Sequence, residues 1–161
     1  MRAELKTEIH QRSPFDSIEE EVFLALQLTA RKVMDPWAKF LKAEASLTPV
    51  QYNLLRVLRG SHPDGRTCGE VSERLVTRDP DVTRIVDRLE KRGLVKRQRS
   101  TEDRRVVRVF ATPKGLSSLK RLDRAVESMP KKLLGPLGAR RLRRLRDLLS
   151  SMRSEMGQFS S

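Results

Sequence analysis

Residues 79–110 read DPDVTRIVDRLEKRGLVKRQRSTEDRRVVRVF, and the architecture of the chain follows from this stretch. Apolar residues recur in its first half at steps of three and four, at Val82, Ile85, Val86 and Leu89. That period predicts a helix with one buried face and one polar face. We expect Asp79 to cap its first turn and Pro80 to occupy its first helical position. Gly93 is expected to end the helix in the left-handed conformation.

The period changes after Gly93. Residues 94–99 and 106–110 each predict a short strand, and the polar residues 100–105 between them favour a turn, so we expect a hairpin with a basic tip. A helix followed at once by such a hairpin is the outline of a winged helix-turn-helix. In that arrangement the helix enters a major groove of DNA, and the hairpin, or wing, reaches the flanking backbone or minor groove.

Two helix starts precede this stretch. Thr48-Pro49 begins one helix, with the proline at the first helical position. Thr67 and Glu70 form a capping-box pattern that begins a short helix, and residues 76–78 form the turn after it. A short helix, a tight turn and a second helix with a polar outer face together predict a helix-turn-helix.

Longer helices are expected at both ends of the chain. Ser17 begins one whose apolar stripe is too wide for a single contact surface, so it should touch its own domain and a partner chain; Pro36 is expected to kink or break it. Thr112-Pro113-Lys114-Gly115 begins the helix after the wing, and Pro130 is expected to end it. The last helix carries a seam typical of helix packing in a dimer, at Leu142, Leu145, Leu149, Met152 and Met156.

The predicted fold is mostly α with a small β-hairpin wing. It consists of a winged helix-turn-helix with dimerisation helices on both sides. Residues 1–16 are expected to form a flexible arm, 17–46 an N-terminal dimerisation helix, 47–112 the winged domain and 113–161 the C-terminal dimerisation helices.

Composition points to a polyanionic partner. The 161 residues include 34 Lys and Arg against 21 Asp and Glu, a net charge of +13, which favours fast and salt-sensitive association with nucleic acid. A single cysteine excludes an internal disulfide framework and fits a cytoplasmic protein. No apolar run is long enough for a membrane span, and no motif indicates a metal, a cofactor or enzymatic activity.

Particular residues resemble one family. Residues 81–95, the triplet Asp103-Arg104-Arg105 and the sequence Thr112-Pro113-Lys114-Gly115 resemble the MarR family of bacterial transcription regulators, and the resemblance runs from about residue 20 to 156. It implies a homodimer whose two winged domains bind a palindrome in double-stranded DNA. It also implies repression that is relieved by a small molecule or an oxidant.

The resemblance and side-chain chemistry give candidate DNA contacts. By position, Arg105 corresponds to the wing arginine that enters the minor groove and Asp103 to the acid that orients it. The Arg84 guanidinium can pair with guanine, and Thr83 can contact a phosphate or a thymine methyl group. The other candidates are Arg78, Pro80, Asp81, Asp87, Arg88, Arg97, Arg99 and Arg104. The alternative for these polar residues is a solvated helix face and a hairpin tip that only improves solubility. Asp87 and Arg88 could instead pair within the protein.

The sequence leaves open how the protein is regulated and whether it binds DNA by sequence. Trp37, Phe40 and Tyr52 are candidates to line a pocket for a small aromatic effector, although aromatic residues at helical spacing also serve as core. Cys68 lies in a first helical turn, where the helix dipole can lower a thiol pKa, so a redox-sensing regulator is an alternative. A further alternative is an architectural protein that binds DNA without regard to sequence.

Overall fold

The computed structural model describes residues 5–76, 81–100 and 103–157. In chain order these form α1 (Leu5–Glu8), α2 (Ile18–Ala45), α3 (Pro49–Arg59), α4 (Cys68–Arg74), α5 (Val82–Lys91), β1 (Val95–Arg99), β2 (Val107–Ala111), α6 (Pro113–Leu134) and α7 (Ala139–Met156). A 3-10 turn at Gly135–Leu137 separates α6 from α7. The mostly helical fold with an antiparallel two-stranded wing confirms the fold class that the sequence predicts.

Hydrogen bonds at the helix starts explain why the helices begin where they do. The hydroxyl oxygens of Ser17, Thr48, Thr67 and Thr112 each accept a bond from the backbone N–H three residues further on. These caps are as predicted. The cap predicted for α5 is wrong: Asp81 caps that helix by accepting from the N–H of Arg84, and the helix begins at Val82. Asp79 and Asp81 offer the same carboxylate, so the pattern alone did not distinguish them.

Neither Pro36 nor Pro130 ends its helix, so the predicted end at Pro130 is wrong and α2 is not broken at Pro36. α2 continues through Pro36, and α6 continues through Pro130 for four more residues. Both prolines are exposed, so water can hydrogen-bond the carbonyl that loses its N–H partner.

The core lies in the winged domain. Its fully buried side chains come from the end of α2, from α3, α4, α5, the base of the wing and α6, and they include Leu41, Leu54, Leu55, Leu58, Val71, Val86, Leu89, Val109 and Leu119. Gly115 lets α6 approach the wing base, because a Cβ at this position would lie 2.2 Å from the carbonyl oxygen of Leu94. The first turns of α2 and all of α7 are, by contrast, exposed or half-buried.

The junction between α5 and the wing is abrupt. Gly93 has φ +68°, as predicted, and its N–H donates to the carbonyl of Glu90 at 2.8 Å. The N–H of Leu94 donates to the carbonyl of Leu89 at 2.9 Å, which completes the helix end. β1 therefore starts within two residues of the turn, and the wing is close to the polar face of α5.

Candidate nucleic-acid interface

α5 has a buried face and an outer face. Its apolar residues Val82, Ile85, Val86 and Leu89 are all buried, and they pack this helix onto the core. Thr83, Arg84 and Arg88 are exposed on the outer face. The packing therefore presents to solvent those residues that sequence analysis assigned to base and phosphate contacts.

Arg84 is held at the N-terminus of α5. Its Nε lies 2.9 Å from Oδ2 of Asp81, while 76% of the Arg84 side chain remains exposed. The guanidinium thus has a partner in the absence of DNA, but it remains accessible. Asp81 and Arg84 neutralise each other, so the acidic Asp81 adds no uncompensated negative charge to this face of α5.

The tip of the wing is basic and locally ordered by Asp103. Asp103, Arg104 and Arg105 are all exposed. The Asp103 carboxylate accepts a bond from the backbone N–H of Arg105 at 2.9 Å, and the carbonyl of Asp103 accepts from the N–H of Val106 at 3.0 Å. Asp103 thus contacts Arg105 through the backbone N–H of Arg105, and the Arg105 side chain is exposed.

Arg97 pairs with acidic residues of α5. Its Nη2 lies 2.6 Å from Oδ1 of Asp87, and its Nη1 lies 2.6 Å from Oε2 of Glu90. Burial lowers the pKa of Arg97, but the hydrogen bonds with both carboxylates outweigh that effect and raise it. Arg99, at the end of the same strand, is exposed. Of the two wing-strand arginines, Arg99 is thus the one available to a phosphate.

Further contacts, which the sequence did not predict, anchor this region. Arg92, the C-cap of α5, donates to the carbonyls of Ala45 and Ser46 at 2.9 and 2.8 Å, which ties the end of α5 to the end of α2. Arg108 of β2 lies 3.8 Å from the carboxylate of Glu70 in α4. These partners are far apart in sequence, so no periodicity indicates them. Arg78 and Pro80 lie outside the described residues.

Glu70 of α4, which faces Arg108 of the wing, has a lowered pKa. The backbone N–H of Thr67 donates to Glu70 at 2.8 Å, and this bond is the main reason that the pKa of Glu70 is lowered. Desolvation is the next largest effect and raises the pKa, while the Thr67 hydroxyl and Arg66 lower it further, so the net shift is downward. Glu70 is therefore ionised throughout the neutral range, as its ion pairs with Arg66 and Arg108 require.

A cavity of about 440 Å³ lies between α2, α3 and α6. Trp37 and Tyr52 line it, together with Arg56 and Met129. Phe40 does not line the cavity, but stacks behind Trp37 with ring centroids 5.8 Å apart. The sequence prediction thus placed two of its three aromatic residues on the cavity wall.

Tyr52 is part of the cavity wall. Its hydroxyl is buried and has no hydrogen-bond partner among the described residues. Burial raises the pKa of Tyr52, so its hydroxyl stays protonated and able to donate. The Arg56 guanidinium carbon lies 5.9 Å from the centroid of the Tyr52 ring. An apolar cavity of this volume with a few polar groups has the features of a small-molecule site.

Cys68 occupies the first position of α4 and is half-buried. Within the described ranges, no group of three or more His, Cys, Asp or Glu side chains is arranged to hold a metal ion. Across the same ranges, no helix combines the length and apolar character that crossing a bilayer requires.

The helix-turn-helix, its polar outer face and the basic wing define a winged helix-turn-helix DNA-binding protein. The sequence model of the MarR family matches residues 45–106. The chain is 33% identical over 131 residues to the HTH-type transcriptional regulator PrsX of Escherichia coli, an alignment that covers 80% of this chain and 78% of PrsX.

Solved structures are similar over most of the chain. The crystal structure of a MarR transcription factor from Planctomyces limnophilus is 39% identical with a TM-score of 0.62, and the match covers 85% of this chain and 98% of that one. The fold also matches the PcaV transcriptional regulator of Streptomyces coelicolor, solved in complex with its natural ligand, at 22% identity and a TM-score of 0.66 over 89% and 98% of the two chains.

The chain belongs to the MarR family of transcriptional regulators. It is a DNA-binding transcriptional regulator and not an enzyme, as the sequence predicts.

Proposed function

We propose that this protein is a homodimeric repressor that binds a pseudo-palindromic operator and releases it when a small effector binds. The observation that carries the proposal is the exposed polar face of α5 beside a wing with a basic tip. In this arrangement Arg84 leaves Asp81 to pair with a guanine in the major groove, and Thr83 meets a phosphate or a thymine methyl. Arg105 enters the adjacent minor groove, where negative potential is enhanced.

Phosphate contacts complete the interface that we propose. Arg88, Arg99 and Arg104 are exposed and carry the charge that would neutralise phosphates. Such contacts fix the register of the protein on the duplex without reading its sequence. Because the activity needs chromosomal DNA, we place the protein in the cytoplasm.

Exposed apolar side chains at both ends of the chain support the homodimer. On α2 these are Ile18 and Phe23, which are 65% and 62% exposed, and on α7 Leu148 is 62% exposed. An isolated protomer would leave this apolar surface in water, and a second copy of the chain would cover it. Two winged domains held in this way would place their recognition helices about one DNA turn apart, roughly 34–36 Å.

The cavity beside Trp37 and Tyr52 supports the effector. An aromatic ligand can pack against the Trp37 and Tyr52 side chains, which both line the cavity. The cavity is lined by α3 of the winged domain and by α2 and α6. These last two helices lead towards the exposed apolar surfaces at the two ends of the chain. A ligand that binds one relative position of these helices more tightly would change the spacing of the recognition helices and weaken DNA binding.

Selection from a random duplex pool at two salt concentrations tests the proposal. We expect the purified protein to enrich a palindrome whose half-sites are about one turn apart. Arg105→Ala should then weaken binding to that operator by about tenfold or more, whereas Arg121→Ala, an exposed arginine of α6, should leave it within about twofold. Enrichment of no motif, with binding that only falls with salt, would instead indicate a sequence-indifferent DNA-binding protein.

A further inference from the structure

The cluster formed by Arg97, Asp87 and Glu90, here called the Arg97 cluster, connects the wing to the recognition helix. Arg97 uses its side chain and its backbone in this connection. Besides the two ion pairs, the backbone N–H of Arg97 donates to Oε1 of Glu90 at 2.9 Å, and Nη2 lies 3.3 Å from the carbonyl oxygen of Thr83. One residue of β1 therefore contacts three residues spread over two turns of α5.

Position within the strand explains why Arg97 can reach the helix. Residues of β1 alternate in burial, and Val95, Arg97 and Arg99 share one face. Val95 is buried in the core, while Arg97 pairs across the hairpin with the buried Val109. The Arg97 side chain is only 25% exposed, so it is held between the strand and α5 rather than extended into solvent.

The charge of the Arg97 cluster argues against a direct role in binding phosphate. Two carboxylates share one guanidinium, so the cluster carries a net negative charge on the face that approaches DNA. By charge alone such a cluster opposes binding to a polyanion. Its contribution must then come from geometry, because a wing and a helix that are fixed relative to each other lose less freedom when both engage DNA.

We propose that Arg97 is a positioning residue that sets the angle between the recognition helix and the wing, so that the major groove and the adjacent minor groove are met together. This inference rests on the proposed DNA-binding mode. It differs from that proposal in assigning Arg97, Asp87 and Glu90 to the alignment of the interface and not to contacts with the duplex.

Substitutions within the Arg97 cluster separate a charge effect from a geometric effect, because the two predict opposite changes in affinity for DNA. Glu90→Gln removes a negative charge, which by charge alone would tighten binding to any duplex. If Glu90 positions Arg97, the same change should weaken binding to the selected operator by about fivefold, the scale of a partly exposed charge-assisted contact. Arg97→Gln should weaken operator binding by the same factor. Arg97→Lys should weaken it less, because a lysine can reach one carboxylate at a time.

The control is Glu73→Gln. Glu73 is 78% exposed on α4, so this change removes the same charge without touching the wing. We expect it to tighten operator and random-duplex binding slightly and equally, with their ratio unchanged. In Arg97→Gln and Glu90→Gln that ratio should fall. Hydroxyl-radical protection of the outer minor groove should also be lost, while protection of guanine N7 in the major groove remains.

Two results would overturn the inference. One is tighter operator binding by Glu90→Gln with an unchanged ratio, which would show that only charge matters. The other is a uniform loss of affinity in Arg97→Gln with a salt dependence reduced by about one counterion, the mark of a phosphate contact.

A measurement on the free protein separates failure of this inference from failure of the proposed function. Hydrogen exchange of wing peptides, residues 95–111, should accelerate several-fold in Arg97→Gln and Glu90→Gln, with peptides of α3 unchanged. An unchanged rate in the wing would reject the positioning role whether or not the wild-type protein selects an operator. Failure of the wild type to select an operator would reject the proposed function alone.

Discussion

Gly115→Ala should destabilise the protein strongly, because α6 approaches the wing base too closely for a side chain. The added Cβ would lie 2.2 Å from the carbonyl oxygen of Leu94, where ordinary contact begins at 3.4 Å. The carbonyl would have to withdraw by about 1 Å. That carbonyl accepts a hydrogen bond from the N–H of Thr112 at 3.1 Å, and Leu94 itself is buried.

The cost follows from these contacts. Overpacking of a dense interior costs about 1–3 kcal/mol, and weakening a buried hydrogen bond adds about 1 kcal/mol. The better helix propensity of alanine returns at most about 1 kcal/mol. We expect the free energy of unfolding to fall by about 2–3 kcal/mol, which lowers the melting temperature by roughly 4–12 °C for a chain of this size.

Gly69→Ala is the matched control. A Cβ at Gly69 would meet only the Thr67 hydroxyl, at 3.9 Å, and the position is exposed within α4. This change should raise the free energy of unfolding by about 0.5 kcal/mol, because alanine restricts the unfolded chain. Both variants are compared with the wild type by calorimetry at one protein concentration, since the proposed dimerisation would make the midpoint concentration-dependent. Equal stability of Gly115→Ala and the wild type would refute the steric argument.

Three further predictions concern ionisation, an ion pair and assembly. The pKa of folded Glu70 is lowered, so the stability it adds is present above its unfolded pKa of about 4.5 and is lost as pH falls through the folded value. The melting temperatures of wild type and Glu70→Gln should thus differ at pH 7 and converge as the pH falls below the folded pKa of Glu70, and a constant offset would contradict this. Asp123→Asn, which breaks the two-bond contact with Arg59 at 2.7 and 3.0 Å, should lower the free energy of unfolding by about 0.5–1 kcal/mol in urea melts. That loss should shrink in high salt. Leu148→Arg should shift the protein towards monomer in light scattering and weaken operator binding; an unchanged dimer would remove α7 from the interface.

Local patterns predict most of this fold because their causes are local. Apolar spacing defines α5, and cap chemistry reaches only three residues, so Thr48, Thr67 and Thr112 are correctly assigned as helix starts. Prolines are a less reliable guide. The pattern gives the cost of Pro36 and Pro130, but not their exposure in the folded chain, which lets water reach the carbonyl that loses its partner.

The candidate site likewise contains residues that the sequence indicates and residues whose role depends on packing. Its exposed arginines, including Arg84 and Arg105, are recognisable because a polar face and a hairpin tip are features of short segments. By contrast, the sequence treats Arg97 as one of several basic residues on the wing. Its ion pairs with Asp87 and Glu90 depend on the packing of β1 against α5, which the sequence pattern does not give.

The sequence by itself determined the family, the helix-turn-helix and the basic wing, since apolar period, caps and turns depend on neighbours within a few residues. Only the tertiary structure decided which charges pair within the protein, as when Arg92 meets the carbonyls of Ala45 and Ser46. It alone brought Trp37 and Tyr52 to one cavity and the carbonyl of Leu94 against Gly115. These contacts join residues about 15 to 50 positions apart, and the packing of whole helices sets their distances.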